Sequence, residues 1–414
     1  MLLAAKSAVK LTFVCFRKIA MHLSFKTTTS AFLLAISATV GVVGGQGAHA
    51  AMPIVQRVPS VDSRSYLLLD AKSGKVLAEQ NADESLPPAS LTKIMTSFVV
   101  ATELAAGRIQ STDMVAVSVK AWRMSGSKMF IREGTRVSVD DLLKGVIIQS
   151  GNDASVALAE HIAGDEAAFA DMMNQLAREI GMTQSNFMNA SGLPNEEHYT
   201  TARDLAILTN LLIERFPDHY ALYSERSFRF NDIDQPNRNR LLWRDKTVDG
   251  VKTGHTNAAG YCLVSSALRE GQRLIAVVMG TDSDEARMRE SQKLLSYGFR
   301  NFETRRIYDA DVMLKNAELW FGEADAIELG IAEDLYVTIP RGAYEMVSAE
   351  MNLPELIEAP LTKGEELGEL RLTLDNEVIS RTPLITLSDV EEAGFFSRIW
   401  QSVVLFFQDL ISGD

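Results

Sequence analysis

The segment Pro88-Ala89-Ser90-Leu91-Thr92-Lys93-Ile94-Met95-Thr96 has the pattern of the first turns of a buried helix. Two prolines end the preceding segment, and apolar residues then recur at helical spacing as far as Val99. Ser90 and Lys93 lie three positions apart, so their side chains project from one helix face and can meet. A lysine in an apolar pocket can lose its proton and act as the base that activates a serine hydroxyl. The first helical turn also offers free backbone N–H groups, which favour a developing oxyanion.

The Ser-x-x-Lys pattern alone is a weak signal, because the chain contains three copies of it. They are Ser7/Lys10, Ser90/Lys93 and Ser125/Lys128. The first copy lies in an expected targeting segment, and the Gly and second Ser of the third favour a loop. Only Ser90 stands at the start of an apolar helix, which makes it the candidate nucleophile.

The composition is that of an ordinary globular protein of 414 residues, with 46% hydrophobic and 23% charged residues. This length allows two or three domains and a sizeable core. The net charge of −13 argues against a nucleic-acid partner. The six histidines are not paired at metal-ligand spacing, so neither a metal nor another cofactor is expected.

Residues 1–50 are expected to be a signal or pre-segment rather than part of the fold. Lys26 precedes an apolar run over residues 31–43, and Ala48-His49-Ala50 has the small-residue pattern of a cleavage site. The mature chain is expected to begin near residue 51, and translation could itself start at Met21. A retained membrane anchor is the alternative, disfavoured because the apolar run is short for a span. Cys15 leaves with this segment, so Cys262 has no partner for an internal disulfide.

Two further short motifs follow the Ser90 helix. Ser150-Gly151-Asn152 interrupts a helical pattern with polar residues that can donate, accept and grip an amide. Lys252-Thr253-Gly254 precedes two strand patterns and is predicted to lie on the outer strand of an antiparallel meander, where Gly permits close approach of a ligand. Each motif has an ordinary alternative: Ser-Gly-Asn is common turn chemistry, and the similar Lys72-Ser73-Gly74 is interpreted as a turn.

The order of these three motifs along the chain resembles that of a known protein family. Ser90 with Lys93, then Ser150 with Asn152, then Lys252-Thr253-Gly254 resembles the motif series of penicillin-binding proteins and class A β-lactamases. The chain closely resembles the low-molecular-mass penicillin-binding proteins of the D-alanyl-D-alanine carboxypeptidase type. This implies an α+β, β-lactamase/transpeptidase-like catalytic domain at 51–308, an antiparallel sheet with helices on both faces. It also implies a small all-β domain at 309–388 and an amphipathic, membrane-associated helix at 389–414.

The resemblance also implies a role for each site residue. In it Ser90 is the nucleophile that becomes acylated, Lys93 takes its proton and Ser150 relays a proton to the leaving amine. The implied substrate-binding residues are Asn152 for the peptide amide, Lys252 beside Ser150, and Gly254 for close approach of the ligand backbone. Thr253 and Arg287 are implied to bind the terminal carboxylate, and the backbone N–H groups of Ser90 and His255 to bind the oxyanion. A general-base role for His255 is the less favoured alternative. Ser191 stands where some relatives have a histidine, so that contact is not carried over.

The implied function is a serine-type carboxypeptidase that removes the C-terminal D-alanine of peptidoglycan pentapeptides and is acylated by β-lactams. A β-lactamase of the same fold, using the glutamates of Asn195-Glu196-Glu197, and a non-catalytic wall-binding scaffold are the alternatives. The implied location is the periplasm, peripheral on the outer face of the cytoplasmic membrane.

Two segments outside these motifs have patterns of their own. Residues 395–411 carry a broad apolar stripe with few Lys or Arg residues, which predicts a helix lying on a membrane surface without strong preference for anionic lipid. A terminal helix docked on its own domain, or a dimer contact, is the alternative. The segment from Phe228 to Arg240 is expected to be a polar connection.

Overall fold

The computed structural model of the protein describes residues 53–412, with side chains described as far as residue 407. The predicted signal segment, residues 1–50, lies outside the described residues. The larger part of the fold begins with an extended lead-in at residues 53–64 and contains these elements: β1 (Ser65–Asp70), β2 (Val76–Gln80), α1 (Thr92–Ala105), β3 (Met114–Ala116), α2 (Val119–Arg123), β4 (Arg136–Ser138), α3 (Val139–Lys144), α4 (Asn152–Ala163), α5 (Glu166–Glu179), α6 (Ala202–Arg215), α7 (Pro217–Ala221), β5 (Ser227–Phe230), β6 (Ile233–Pro236), α8 (Leu241–Arg244), β7 (Val248–Thr256), β8 (Gly260–Arg269), β9 (Gln272–Thr281) and α9 (Asp284–Asn301).

Five antiparallel strands form the main sheet in the order β2-β1-β9-β8-β7. The N-terminal hairpin therefore pairs with the last strand of the meander, and Leu67 lies opposite Val277. Residues of β1 alternate between two cores, because successive side chains of a strand point to opposite faces. Leu67 packs in the core that contains α1, and Leu68 packs in the core that contains α9. The predicted sheet with helices on both faces is thus confirmed, and β7 is its outer strand.

Helix α1 is buried along most of its length, from Thr92 to Ala101. Burial on all sides places this helix inside the core rather than on the surface of the protein. Its first turn lies against β7, where the Gly254 backbone passes close to the Pro88 carbonyl. The fold therefore holds the Ser90 turn rigidly against the edge strand of the sheet.

The segment from Phe228 to Arg240 is not the polar connection predicted from its composition. Phe228 pairs with Gln235 in a hairpin of β5 and β6. Phe228 and Phe230 stack with ring centroids 6.1 Å apart, which gives the short hairpin an apolar face. Its turn residues Asn231 and Asp232 both have positive φ, the conformation for which Asn and Asp are favoured in two-residue hairpins. The Asn-Asp pair was the sequence signal for this turn.

The rest of the chain forms a second five-stranded sheet and a separate pair of strands, with two cores of its own. Its elements are β10 (Phe302–Tyr308), β11 (Lys315–Glu318), β12 (Ala326–Gly330), β13 (Leu335–Pro340), β14 (Val347–Asn352), β15 (Glu366–Leu374), β16 (Glu377–Thr386) and α10 (Phe395–Ser412). The sheet order is β11-β12-β16-β15-β14, while β10 pairs with β13. Helix α10 exposes most of the surface of Phe395, Phe396 and Trp400. Within residues 53–412, no helix combines the length and the apolar character that a membrane span requires.

Candidate active site

Ser90 lies in a tight turn, Ala89–Leu91, that leads directly into α1. Pro88 precedes the turn, and Ala89 has a positive φ of 49°. The Thr92 hydroxyl donates to the Ala89 carbonyl at 2.8 Å, which closes the turn from inside. The serine is therefore presented at the start of a buried helix, as the sequence predicted.

The Lys93 amine has three neighbours at hydrogen-bond distance. Its Nζ lies 2.7 Å from Asn152 Oδ1, 2.5 Å from the Ser191 carbonyl oxygen and 3.2 Å from Ser90 Oγ. Asn152 Oδ1 and the Ser191 carbonyl can only accept hydrogen bonds, so they use two hydrogens of the amine. In a neutral amine, the remaining tetrahedral position is a lone pair. This arrangement directs that lone pair at the hydroxyl of Ser90.

The environment of Lys93 favours the neutral form. The side chain is almost completely buried, and burial lowers the pKa of the Lys93 amine to about 7, although the Asp153 carboxylate opposes the shift. An amine with a pKa near 7 can accept a proton at neutral pH. Lys93 therefore has both the position and the basicity of a general base for Ser90.

Asn152 and Asp153, at the start of α4, fix the wall of the site. Asn152 Nδ2 donates to the Ser125 carbonyl at 2.7 Å, and its Oδ1 accepts from Lys93. The buried Asp153 carboxylate accepts backbone N–H bonds from residues 129, 130 and 131. The loop around Ser125 is thus held against the start of α4. The sequence predicted a loop here but gave it no role, and it did not single out Asp153.

Ser150 lies at the break between two helical segments, two residues before Asn152. Its φ of 66° places it in the left-handed region, and its side chain is nearly buried. Among residues 53–412, its hydroxyl makes no hydrogen bond to Lys93 or Lys252. The strained backbone presents the hydroxyl at the end of the π-turn Gly145–Gln149, in contact with α1.

Strand β7 brings the third motif to the Ser90 turn. A Cβ at Gly254 would lie 3.0 Å from the Pro88 carbonyl oxygen and 3.3 Å from Ala89 Cβ, so only glycine lets the strand approach this closely. Lys252 is buried, and burial lowers the pKa of its amine well below the ordinary value. The positive charges of Lys93, Arg287 and Arg238 lower it further. The two lysines are thus close enough to repel each other.

His255 and Arg287 line a cavity of about 770 Å³ beyond the end of the third motif. His255 stacks on Tyr261 with centroids 4.0 Å apart. The Arg287 guanidinium donates to the Gly254 carbonyl at 2.9 Å and to the Asp284 carboxylate. Arg287 is therefore already engaged by the strand and by Asp284. The same cavity is lined by Arg238, an exposed cation that sequence reasoning did not single out.

The loop at residues 189–198 also packs against the Ser90 turn, a role that the sequence did not predict. Gly192 packs against the turn so tightly that a Cβ there would lie 1.8 Å from the Ala89 carbonyl oxygen. His198 Nε2 lies 2.9 Å from Thr92 Oγ1. Burial, assisted by the Lys93 charge, lowers the pKa of His198 to about 4, so its ring is neutral at pH 7. No group of three or more potential metal-ligating side chains occurs in the described part of the chain.

Comparison with known proteins places the chain in a family. The family model described as D-alanyl-D-alanine carboxypeptidase matches residues 52–283, more than half of the chain. The chain belongs to the D-alanyl-D-alanine carboxypeptidase family. A second model, described as the C-terminal domain of penicillin-binding protein 5, matches residues 302–392 of this family member.

Relatives of this D-alanyl-D-alanine carboxypeptidase family member cover most of its length. The D-alanyl-D-alanine carboxypeptidase DacC of Escherichia coli is 48% identical over 84% of the chain and 89% of the relative. DacA of Haemophilus influenzae is 43% identical over 86% of the chain and 92% of the relative. The crystal structure of penicillin-binding protein 5 from H. influenzae is similar, with a TM-score of 0.80 and 42% identity over 81% of the chain and the whole of that structure.

Proposed function

We propose that this protein is a serine-type D-alanyl-D-alanine carboxypeptidase that removes the C-terminal D-alanine of peptidoglycan pentapeptides through an acyl-enzyme at Ser90. The family and its close relatives support this enzyme class. The observation that carries the mechanism is the position of Lys93 Nζ, 3.2 Å from Ser90 Oγ, with two hydrogens of the amine directed at Asn152 and Ser191.

In the acylation step, Ser90 Oγ attacks the carbonyl carbon between the two D-alanines while its proton passes to Lys93. The oxyanion is held by the backbone N–H groups of Ser90 and His255. Collapse of the tetrahedral intermediate breaks the C–N bond, and the departing amine takes a proton through Ser150, with Lys252 beside it. Water then attacks the ester carbonyl and breaks its bond to Ser90 Oγ, which takes one proton of the water, while the shortened peptide leaves with a new carboxyl group.

The substrate is held by groups on both sides of the nucleophile. Asn152 binds the peptide amide, and Gly254 lets the substrate backbone lie close to β7. Thr253 and Arg287 bind the terminal carboxylate. Because Arg287 is already engaged by Asp284, we add the exposed Arg238 as a second cation for that carboxylate.

The test is covalent labelling with penicillin followed by mass spectrometry. The wild-type chain is expected to gain one penicillin mass on Ser90, and Ser90→Ala is expected to gain none. Ser118→Ala is a matched control, since Ser118 only caps α2. Equal labelling of Ser90→Ala and wild type would rule out an acyl-enzyme at Ser90.

A β-lactamase of the same fold is the alternative chemistry. Fast deacylation needs a carboxylate that positions water, but Glu196 and Glu197 are exposed, and neither bonds to Ser90 or Lys93 within the described residues. D-Alanine release from a D-Ala-D-Ala peptide should therefore be much faster than penicillin turnover. The reverse order would favour the β-lactamase. A non-catalytic scaffold would show neither reaction.

Residues 51–308 form the catalytic domain of the proposal, and residues 309–388 form the small β-rich domain. The protein acts in the periplasm, with the helix at 395–411 lying on the outer face of the cytoplasmic membrane. The exposed aromatic face of α10 supports this placement. Phe396→Asp with Trp400→Asp should reduce cosedimentation with neutral phosphatidylcholine vesicles without changing activity on small peptides. Unchanged cosedimentation would rule out a membrane-binding role for α10.

A further inference from the structure

A basic groove lies on the outer face of α9, outside the residues assigned to catalysis. It has a volume of about 470 Å³ and runs between the helix and the extended lead-in. Arg289, Lys293 and Arg300 lie at spacings of four and seven, so they share one helix face. The groove is lined by five basic side chains and a single acidic one, namely Arg57, Arg244, Arg289, Lys293, Arg300 and Glu285.

The positive charge of this basic groove is only partly compensated. Glu285 is paired with Arg244 at 2.7 Å. The fully buried Glu290 lies beneath and pairs with both Arg289 and Lys293. Arg57 and Arg300 are exposed and make no ion pair with any residue in the range 53–412. An excess of cations in a chain of net charge −13 indicates an anionic ligand.

The basic groove continues from the active-site cavity. Arg244 lines both, and Glu285 follows Asp284, which binds Arg287 at the far wall of that cavity. In the proposed function, the terminal carboxylate of the bound stem ends near Arg287. Whatever occupies the basic groove therefore lies beyond the end of that stem.

We propose that the basic groove is a docking site for a second peptide stem of the same peptidoglycan polymer, bound through its carboxylates. This inference rests on the proposed function. Each stem that ends in D-alanine carries a free carboxylate, and the polymer presents many such stems. Arginine suits this ligand because its planar guanidinium can bind a carboxylate through two hydrogen bonds. The basic groove thus raises the efficiency of the enzyme on the polymer, while a free pentapeptide has nothing to place there.

The test uses the full chain with Arg57→Gln and Arg300→Gln combined, because neither side chain is paired. Arg289 and Lys293 are left in place, since their removal would leave the buried Glu290 carboxylate without partners. D-Alanine release is measured on isolated polymeric peptidoglycan and on a free pentapeptide. At low salt, kcat/KM on the polymer should fall roughly fivefold, the size expected for two exposed ion pairs, and the loss should shrink at high salt. Activity on the pentapeptide should stay unchanged.

The matched control combines Arg136→Gln and Arg178→Gln, two exposed arginines on β4 and α5 that form no ion pair within the described part of the chain. An equal loss in this control would mean general attraction to the polymer and would overturn the proposal. An equal loss on the pentapeptide would also overturn it, because the effect would lie in the active site. Weaker binding to phosphatidylglycerol vesicles with unchanged action on the polymer would assign the basic groove to lipid instead.

A binding measurement distinguishes failure of the proposed function from failure of the docking proposal. If the wild type cleaved no pentapeptide, the proposed function would fail. Cosedimentation with the polymer would then still test the docking proposal. Loss of binding in the Arg57/Arg300 variant would support a docking site in the basic groove, and unchanged binding would refute it.

Discussion

At the residue scale, the site depends on how one buried amine is hydrogen-bonded. The three-residue spacing of Ser90 and Lys93 predicts their contact, and the structure shows it at 3.2 Å. The spacing could not predict the Ser191 carbonyl, which lies 98 residues further along the chain and has no local signal. It is this distant acceptor, together with Asn152, that orients the amine.

The pKa of Lys93 predicts the pH dependence of acylation. Because burial lowers this pKa to about 7, the amine is protonated below that pH and free to accept a proton above it. The second-order rate of penicillin acylation should therefore rise tenfold per pH unit below about pH 6 and level off above about pH 8. Lys93→Arg should abolish the reaction, because arginine keeps its proton. A flat profile from pH 5 to 9 would contradict a basic role for Lys93.

Asn152→Asp should move that profile to higher pH. The substitution places a carboxylate at the position of Asn152 Oδ1, 2.7 Å from Lys93 Nζ, where it stabilises the charged amine. The midpoint of the acylation profile should rise by about one pH unit or more. Asn152→Ala serves as the control, since it slows acylation without adding a charge. An unchanged midpoint in Asn152→Asp would mean that Lys93 is not the titrating group.

At the element scale, the sequence predicts the strands and helices better than the loops that complete the site. Apolar periodicity is strong in α1 and in the strands of the main sheet, because burial requires it. The loops at residues 125–131 and 189–198 are held largely through backbone carbonyl and N–H groups, which nearly all residue types possess. Their contacts with Asn152, Asp153 and the Ser90 turn therefore leave no clear pattern in the sequence.

Gly192→Ala should damage the active site through the second of these loops. The residue has a φ of 82°, and its added methyl group would collide with the Ala89 carbonyl. Gly164→Ala is a matched control, because Gly164 has a φ of 87° but open space around it. The control should lose only about 1 kcal/mol of stability and keep its acylation rate. Gly192→Ala should lose more stability and acylate at least about tenfold more slowly. Thermal unfolding measures the stability, and penicillin labelling measures the acylation rate. Equal behaviour of the two variants would refute this prediction.

At the scale of the whole molecule, a buried polar contact joins the main sheet to the strand pair β10–β13. Asp70 of β1 is fully buried and accepts hydrogen bonds from Gln272 of β9 and Thr304 of β10. Thr304 also lies 2.9 Å from Thr338 of β13. The family resemblance predicts a separate β-rich unit at 309–388, but no periodic pattern reveals that a carboxylate of the first strand anchors it.

Thr304→Val should destabilise the protein without affecting catalysis. The change removes a donor from a buried carboxylate while keeping the shape of the side chain, which costs about 1–3 kcal/mol. Urea unfolding should show this loss, whereas kcat/KM on a small peptide should match the wild type. Thr382→Val is the control, since that hydroxyl has only a 3.5 Å contact with Ser380. A fall in kcat/KM would show that the contact also shapes the active site.

The repulsion between the buried amines of Lys93 and Lys252 has a thermodynamic consequence. A ligand that brings a carboxylate beside Lys252 offsets this repulsion and raises the affinity of that amine for a proton. The same carboxylate also favours the charged form of Lys93, whose pKa is about 7, so ligand association near pH 7 should take up a fraction of a proton from the medium. Calorimetric titration of Ser90→Ala with a D-Ala-D-Ala peptide should give heats that vary with the ionisation enthalpy of the buffer. Identical heats in phosphate and Tris would mean that the lysine keeps its charge state when the ligand arrives.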